Sequence, residues 1–180
     1  MRLFIGVPLS KTVVAELEAC CAGLRAKAGN LRWTAPESWH ITLQFLGNTS
    51  ADRCACVTAR LAGVHAAGFG VQLGELGCFD RAGIFFADVV LSPELVGLQQ
   101  RVVAATEHCG FVPEVRPFRP HITLARSKHD GRGGQLRELK ARIQGQPAFS
   151  SFAAREFLLY ESHLSPAGSQ YEVRARFPLG

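Results

Sequence analysis

The tetrapeptide His-Ile-Thr-Leu occurs twice in this chain, at residues 40–43 and 121–124, the two histidines standing 81 positions apart. Each copy lies in an extended, strand-like segment, "SWHITLQFL" and "RPHITLARS". On a strand, residues i and i+2 share a face. His40 and Thr42 therefore point one way while Ile41 and Leu43 point the other, and His121 and Thr123 oppose Ile122 and Leu124 in the same manner. A His and Thr turned into a core would need partners, because an unpaired buried polar group is costly. A cleft supplies water or ligand instead. One H-x-T copy reads most simply as a half-buried strand with its polar residues outward. Two copies with identical apolar spacers point to a shared site, reached if two lobes pack with approximate two-fold symmetry.

The rest of the chain fits such a duplication. Residues 2–8 read as a buried strand. A helix follows over 11–28, with Ser10 as its cap and Val14, Leu17, Cys21 and Leu24 as its apolar stripe. Residues 31–46 are extended. A second helix covers 52–66, with Val57, Leu61 and Val64 in register. "VQLGELGCF" and "GIFFADVV" read as two strands joined by a turn near Asp80–Gly83. The clearest helix starts at cap Ser92 and first-turn Pro93 and stops at Gly110, with Leu95, Leu98, Val102 and Ala105 on its apolar side. A strand over 119–126, a glycine-rich loop at 131–134, a short helix marked by Leu136, Leu139 and Ile143, and a hairpin of 152–163 with 171–177 complete the reading. No linker divides the 180 residues. The expectation is one α+β domain, 1–180, bilobal and internally duplicated, with one motif in each lobe.

Charge is uneven. Residues 113–142 hold eight basic side chains (Arg116, Arg119, Arg126, Lys128, Arg132, Arg137, Lys140, Arg142) against three acidic ones, whereas the segments before and after are balanced. The whole +5 excess thus surrounds the second motif, which suits an anionic partner such as phosphate or RNA. A solvated loop and helix face is the plainer meaning of such a cluster. The loop 126–132 is a weak candidate for steering RNA. No run of about 18 apolar residues suggests a membrane helix, and the N-terminus is a poor signal peptide. The six cysteines form no C-x-x-C pair, so reduced thiols in a cytoplasmic protein are expected.

Paired histidines suit phosphate chemistry. A neutral imidazole accepts a proton and an imidazolium donates one near neutral pH. Threonine hydroxyls donate to phosphoryl oxygens. No carboxylate cluster is visible for Mg²⁺, and two histidines are too few for a catalytic zinc. A metal-free hydrolase is the simpler reading.

These residues resemble the 2H phosphoesterase superfamily, whose signature is a pair of His-x-Thr-x motifs. "MRLFIGVPL", "WHITLQFLGN", "FRPHITLARS" and "LYESHLSPAGSQYEVRARFPL" further resemble the bacterial RNA 2′,3′-cyclic phosphodiesterase group, formerly called 2′-5′ RNA ligase. The resemblance implies two antiparallel sheets lining a central cleft, with helices outside. It implies hydrolysis of an RNA 2′,3′-cyclic phosphate end to a 2′-phosphate, without cofactor, ATP or metal. On the matching positions, His40 is the expected proton donor to the departing 3′ oxygen and His121 the base that activates water. Thr42 and Thr123 hold the phosphate. Arg126 matches a basic position of the family, yet simple alternation puts it on the face opposite His121. A bulge or the strand end is needed to bring it round.

Other readings stand beside this one: ATP-independent 2′-5′ RNA ligation at the same site, hydrolysis of a small cyclic-phosphate nucleotide, or a non-catalytic module that binds RNA ends. Retention of both histidines favours an enzyme, since a binder needs no matched acid and base. The expected partner is an RNA end, with no membrane and no obligate protein partner. His65, His108, His129 and His163 lack a matching Thr and read as surface residues. Trp39 and Phe45 offer rings to a base, though core packing or lobe-interface filling is the simpler role for each.

Overall fold

The chain is described by a computed structural model covering residues 1–26, 31–127, 134–141, 143, 145–165 and 168–180. The expected 131–134 loop, apart from Gly134, and most of the basic 126–132 segment, with Lys128, His129 and Arg132, lie outside the described residues, as do Arg142 and the Arg137 side chain.

Among the described residues, ten strands and four helices follow in chain order. They are β1 (Arg2–Pro8), α1 (Lys11–Arg25), β2 (Leu31–Trp33), β3 (His40–Asn48), α2 (Ala51–Leu61), β4 (Phe69–Val71), β5 (Leu73–Phe79), β6 (Ile84–Val89), α3 (Pro93–Glu107), β7 (His121–Ser127), α4 (Gly134–Ala141), β8 (Phe152–Ala154), β9 (Glu156–Ser165) and β10 (Gly168–Pro178). Serines start the first three helices. Ser10, Ser50 and Ser92 each accept a hydrogen bond from the backbone N–H three residues on, which satisfies a donor the helix cannot. In α1 the buried stripe begins at Val13 instead of Val14, and in α3 it ends at Thr106 instead of Ala105. The second helix stops at Leu61, because the Gly63 and Val64 amides fold back on the carbonyls of Arg60 and Leu61. Val64 is still buried.

Two four-stranded antiparallel sheets form the two lobes, in the orders β10-β9-β1-β3 and β2-β7-β6-β5, with β4 and β8 as a separate pair. The expected extended run 31–46 breaks at a 3₁₀ turn over Pro36–Ser38. This break sends β2 to the edge of one sheet and β3 to the edge of the other. A 3₁₀ turn over Asp80–Ala82 joins β5 and β6, closed by Gly83 at φ 62°, a left-handed conformation that glycine adopts without strain.

The duplication reaches the level of register. In the β1–β3 ladder, Gly6 pairs with Thr42 and Ile5 with Gln44, so Leu43 is skipped. In the β6–β7 ladder, Phe86 pairs with Thr123 and Phe85 with Ala125, so Leu124 is skipped. The leucine of each tetrapeptide is therefore the extra residue of a β-bulge. Both leucines are buried, as are Ile41 and Ile122.

One expectation is corrected here. Cys56 and Cys109 are disulfide-bonded, with Cα atoms 5.9 Å apart and a sequence separation of 53. The packing of α2 on α3 brings Cys56 beside the end of α3, a proximity that cysteine spacing does not register. Cys20, Cys21, Cys54 and Cys78 are free thiols.

Candidate active site

The strands β3 and β7 lie against each other where the two sheets meet. The four motif side chains His40, Thr42, His121 and Thr123 are all half-buried, whereas the residues between them are sealed in the core. Each imidazole is held by the same local bond. His40 Nδ1 lies 2.7 Å from the Ser38 carbonyl oxygen, and His121 Nδ1 lies 2.8 Å from that of Arg119. A carbonyl only accepts, so Nδ1 carries the proton in both rings. Nε2 of each neutral ring is then the unprotonated nitrogen.

The bulge resolves the placement of Arg126. Because Leu124 and Ala125 both turn into the core, the alternation shifts by one and Arg126 returns to the face of His121 and Thr123. Its charge acts on both histidines. Thr34 braces this bulge. Its hydroxyl donates to the carbonyls of Thr123 (2.8 Å) and Leu124 (2.9 Å), and it accepts the indole N–H of Trp39 (2.8 Å). Trp39 is buried and directly precedes His40, so one hydrogen-bonded chain ties the two motifs together.

Aromatic rings surround both imidazoles. Phe4 lies 4.5 Å from His40 between ring centres, Tyr171 meets it edge-on at 5.3 Å, and Tyr160 stands at 5.7 Å. Phe79 and Phe86 flank His121 at 5.0 and 5.6 Å, and the Arg119 guanidinium covers Phe79 at 4.7 Å. Gly6 completes the His40 pocket. A Cβ at that position would stand 2.8 Å from the Ile41 carbonyl oxygen and 3.2 Å from the His40 ring.

This surround sets the proton affinities. Burial pushes the His40 imidazole down to about 4; the Ser38 carbonyl opposes the shift, while His121 and Arg126 add to it. Burial lowers His121 as well, with the Arg119 carbonyl and Asp88 in opposition and the Arg126 and Arg119 charges in support. Both rings are thus neutral in the unliganded protein at pH 7. They form a pair of bases beside two hydroxyls and a guanidinium.

Sequence reasoning missed the ring box of Phe4, Tyr160, Tyr171, Phe79 and Phe86, and the Thr34 brace. A signal existed for the tyrosines, which are the only two in the chain and fall in its family-like ending. Trp39 takes the expected core role. Phe45 does not: it is 68% exposed, because the bulges of β3 place it opposite Phe4, on the His40 side of the sheet. His65, His108 and His163 are exposed, as expected. Among the described residues, the one trio able to hold a metal is Glu161, His163 and Glu172. It lies on β9 and β10, with Arg174 already paired to both carboxylates.

Residues 8–165 match the family model described as the 2′-5′ RNA ligase superfamily. The chain belongs to this superfamily. A Geobacillus stearothermophilus protein named RNA 2′,3′-cyclic phosphodiesterase is 31% identical over 98% of this chain, which spans 56% of that relative's length. An Archaeoglobus fulgidus protein of the same name is 26% identical over 96% of this chain and 97% of its own. The crystal structure of E. coli LigT complexed with 3′-AMP matches with a TM-score of 0.82 and 26% identity, over 99% of this chain and 97% of that one. In this superfamily member, the expected bilobal α+β fold with two antiparallel sheets and a duplicated core holds throughout the described residues. No helix among them is long and apolar enough to cross a membrane.

Proposed function

We propose that the chain hydrolyses the 2′,3′-cyclic phosphate at an RNA 3′ end to a 2′-phosphate. The observation that carries this reading is the matched pair of imidazoles. Each is fixed through Nδ1 on a backbone carbonyl two residues upstream, with a threonine on the same face of its strand. Relatives bear the name of that activity, and the complex of E. coli LigT with 3′-AMP supports a nucleotide ligand.

In the reaction, water attacks phosphorus in line with the 3′ oxygen. His40 takes up a solvent proton at Nε2 once the anionic phosphate is bound; His121 Nε2 then takes the water proton, the bond between phosphorus and O3′ breaks, and His40 Nε2 gives its proton to O3′. The 2′-phosphomonoester leaves, and His121 and His40 exchange protons with solvent to restore the start. The electrostatics fit this division of roles only once the bound phosphate has returned a proton to His40. The displacement of His40 is the larger one, and the ring that holds a proton less firmly is the better acid. Thr42 and Thr123 donate to the non-bridging oxygens, and Arg126 neutralises the charge building on them. Phe45 offers its exposed ring to the terminal base. No step calls for a metal or cofactor. The proposed location is the cytoplasm, where RNA ends arise.

The test is an oligoribonucleotide ending in a 2′,3′-cyclic phosphate, incubated with chelator present. A 2′-phosphate product is expected. A 3′-phosphate product, or turnover that vanishes with chelation and returns with one divalent ion, would contradict the mechanism.

A further inference from the structure

The cleft holds more positive charge than one cyclic phosphate requires. In the β2–β7 ladder, Arg32 pairs directly with Arg126. Directly paired residues share a face, and the next pair in the ladder, Trp33 with Ala125, turns to the core, where Trp33 meets Phe85. Arg32 therefore stands beside Arg126 on the cleft face. Like charges placed directly opposite each other are destabilising. A third guanidinium comes from the other lobe. Arg2, Phe4 and Gly6 share one face of β1; Gly6 and Phe4 both touch His40, so Arg2 lies further out along the same wall. Gly6 to Arg2 is four strand residues, about 13 Å. The charges of Arg32 and Arg2 both act on Arg126. Among the described residues no carboxylate pairs with any of the three.

We infer that Arg32 and Arg2, reaching in from the two lobes, form a second phosphate subsite for the internucleotide phosphodiester 5′ to the terminal nucleotide. This inference rests on the phosphodiesterase reading and adds substrate class to it: a polynucleotide end in preference to a cyclic mononucleotide. A mononucleotide carries one phosphate, which the histidines, threonines and Arg126 occupy. The next anion along an RNA strand lies beyond that position, where the two remaining arginines converge. Binding there relieves the repulsion within the arginine group.

The experiment compares kcat/KM for three substrates: uridine 2′,3′-cyclic phosphate, a dinucleotide ending in the same cyclic phosphate, and that dinucleotide with an uncharged methylphosphonate linkage. The wild-type protein is expected to favour the charged dinucleotide over the mononucleotide by about tenfold or more, the equivalent of one charge-assisted contact, and to lose that preference with methylphosphonate. Arg32→Gln and Arg2→Gln are each expected to lower the dinucleotide-to-mononucleotide ratio about tenfold and to flatten its salt dependence by roughly 0.7 in log–log slope. Arg60→Gln, on the outer helix α2, serves as the control and leaves the ratio alone. Equal ratios for wild type and Arg32→Gln, or equal rates for the two linkages, overturn the subsite. A wild-type protein that turns over none of the substrates sinks the phosphodiesterase reading instead. The subsite is then judged by the affinity for a 2′-phosphorylated dinucleotide of either linkage. Indifference of wild type to the linkage rejects it, and a linkage effect lost in Arg32→Gln sustains it.

Discussion

The lowered proton affinities of the two histidines lead to an expected separation of two pH profiles. His40 has a pKa of about 4 without ligand, against an ordinary value of roughly 6.5. At pH 7 only about one unliganded molecule in a thousand carries its proton, so kcat/KM, which reports the unliganded enzyme, should already be falling with rising pH well below 6.5. Bringing the ring back to its ordinary value takes about 3 kcal/mol, at 1.36 kcal/mol per pKa unit. A unit negative charge about 4 Å away in a partly desolvated site supplies roughly 4 kcal/mol. The bound phosphate is therefore enough, and the alkaline limb of kcat should lie up to two units or so above that of kcat/KM. Apparent values belong to the coupled pair, but the order of the two limbs does not depend on how they are divided. Arg126→Gln removes a cation that holds both rings down, so it should move the kcat/KM profile to higher pH while costing roughly 10- to 150-fold in kcat/KM from the lost charged contact. Steady-state kinetics from pH 4.5 to 9 on a cyclic-phosphate substrate measure both. Coincident limbs, or an acid shift in Arg126→Gln, would refute the reasoning.

Other outcomes are expected from the same geometry. Replacing His40 or His121 with Ala should each cost roughly 10²–10⁴-fold in turnover, and the double variant should be little worse than either; full activity in His40→Ala would end the two-histidine mechanism. Gly6→Ala forces a methyl to 2.8 Å from the Ile41 carbonyl oxygen; it should cost about 1–3 kcal/mol in denaturant unfolding and lower kcat, and normal values of both would contradict this packing. Thr34→Val removes the hydroxyl that donates to the Thr123 and Leu124 carbonyls, of which Leu124 keeps the Thr34 amide, and leaves the buried Trp39 indole N–H unpaired, at about 1–3 kcal/mol, with turnover reduced more than in Arg60→Gln on α2. Reduction of the Cys56–Cys109 bridge opens a loop of 53 residues and should lower stability by up to about 4 kcal/mol; a melting temperature insensitive to dithiothreitol would show otherwise.

The motif residues were legible because alternation along a strand is local: His-Ile-Thr-Leu declares its two faces without help from the rest of the fold. The starts of α1 and α3 were legible for the same reason, since a serine cap acts within three residues. Arg126 and Phe45 were not. Their side depends on one bulged residue in each strand, and a bulge is a property of the ladder with the neighbouring strand. The Cys56–Cys109 bridge and the Thr34 brace span 53 and about 90 residues of sequence and exist only once helices and sheets have packed. The aromatic box belongs to the same class. Phe4, Tyr160 and Tyr171 come from three adjacent strands of one sheet, and nothing in their spacing announces His40 beneath them.

Duplication alone would give two interchangeable imidazoles, and interchangeable groups cannot serve as a distinct acid and base. The backbone of the two halves is indeed equivalent at the site, with the same bulged leucine, the same threonine and the same carbonyl on Nδ1. What differs is what the two copies meet. Gly6 sits opposite Thr42 where Phe86 sits opposite Thr123, so His40 sinks toward Phe4 and the two tyrosines while His121 keeps Asp88 and Arg119 within its field. Five residues past each histidine stand Phe45 and Arg126, a ring for a base on one side and a charge for a phosphate on the other. In the proposed reaction, symmetry of the main chain aims both nitrogens at one phosphorus, and asymmetry of the side chains around them decides which gives the proton and which takes it.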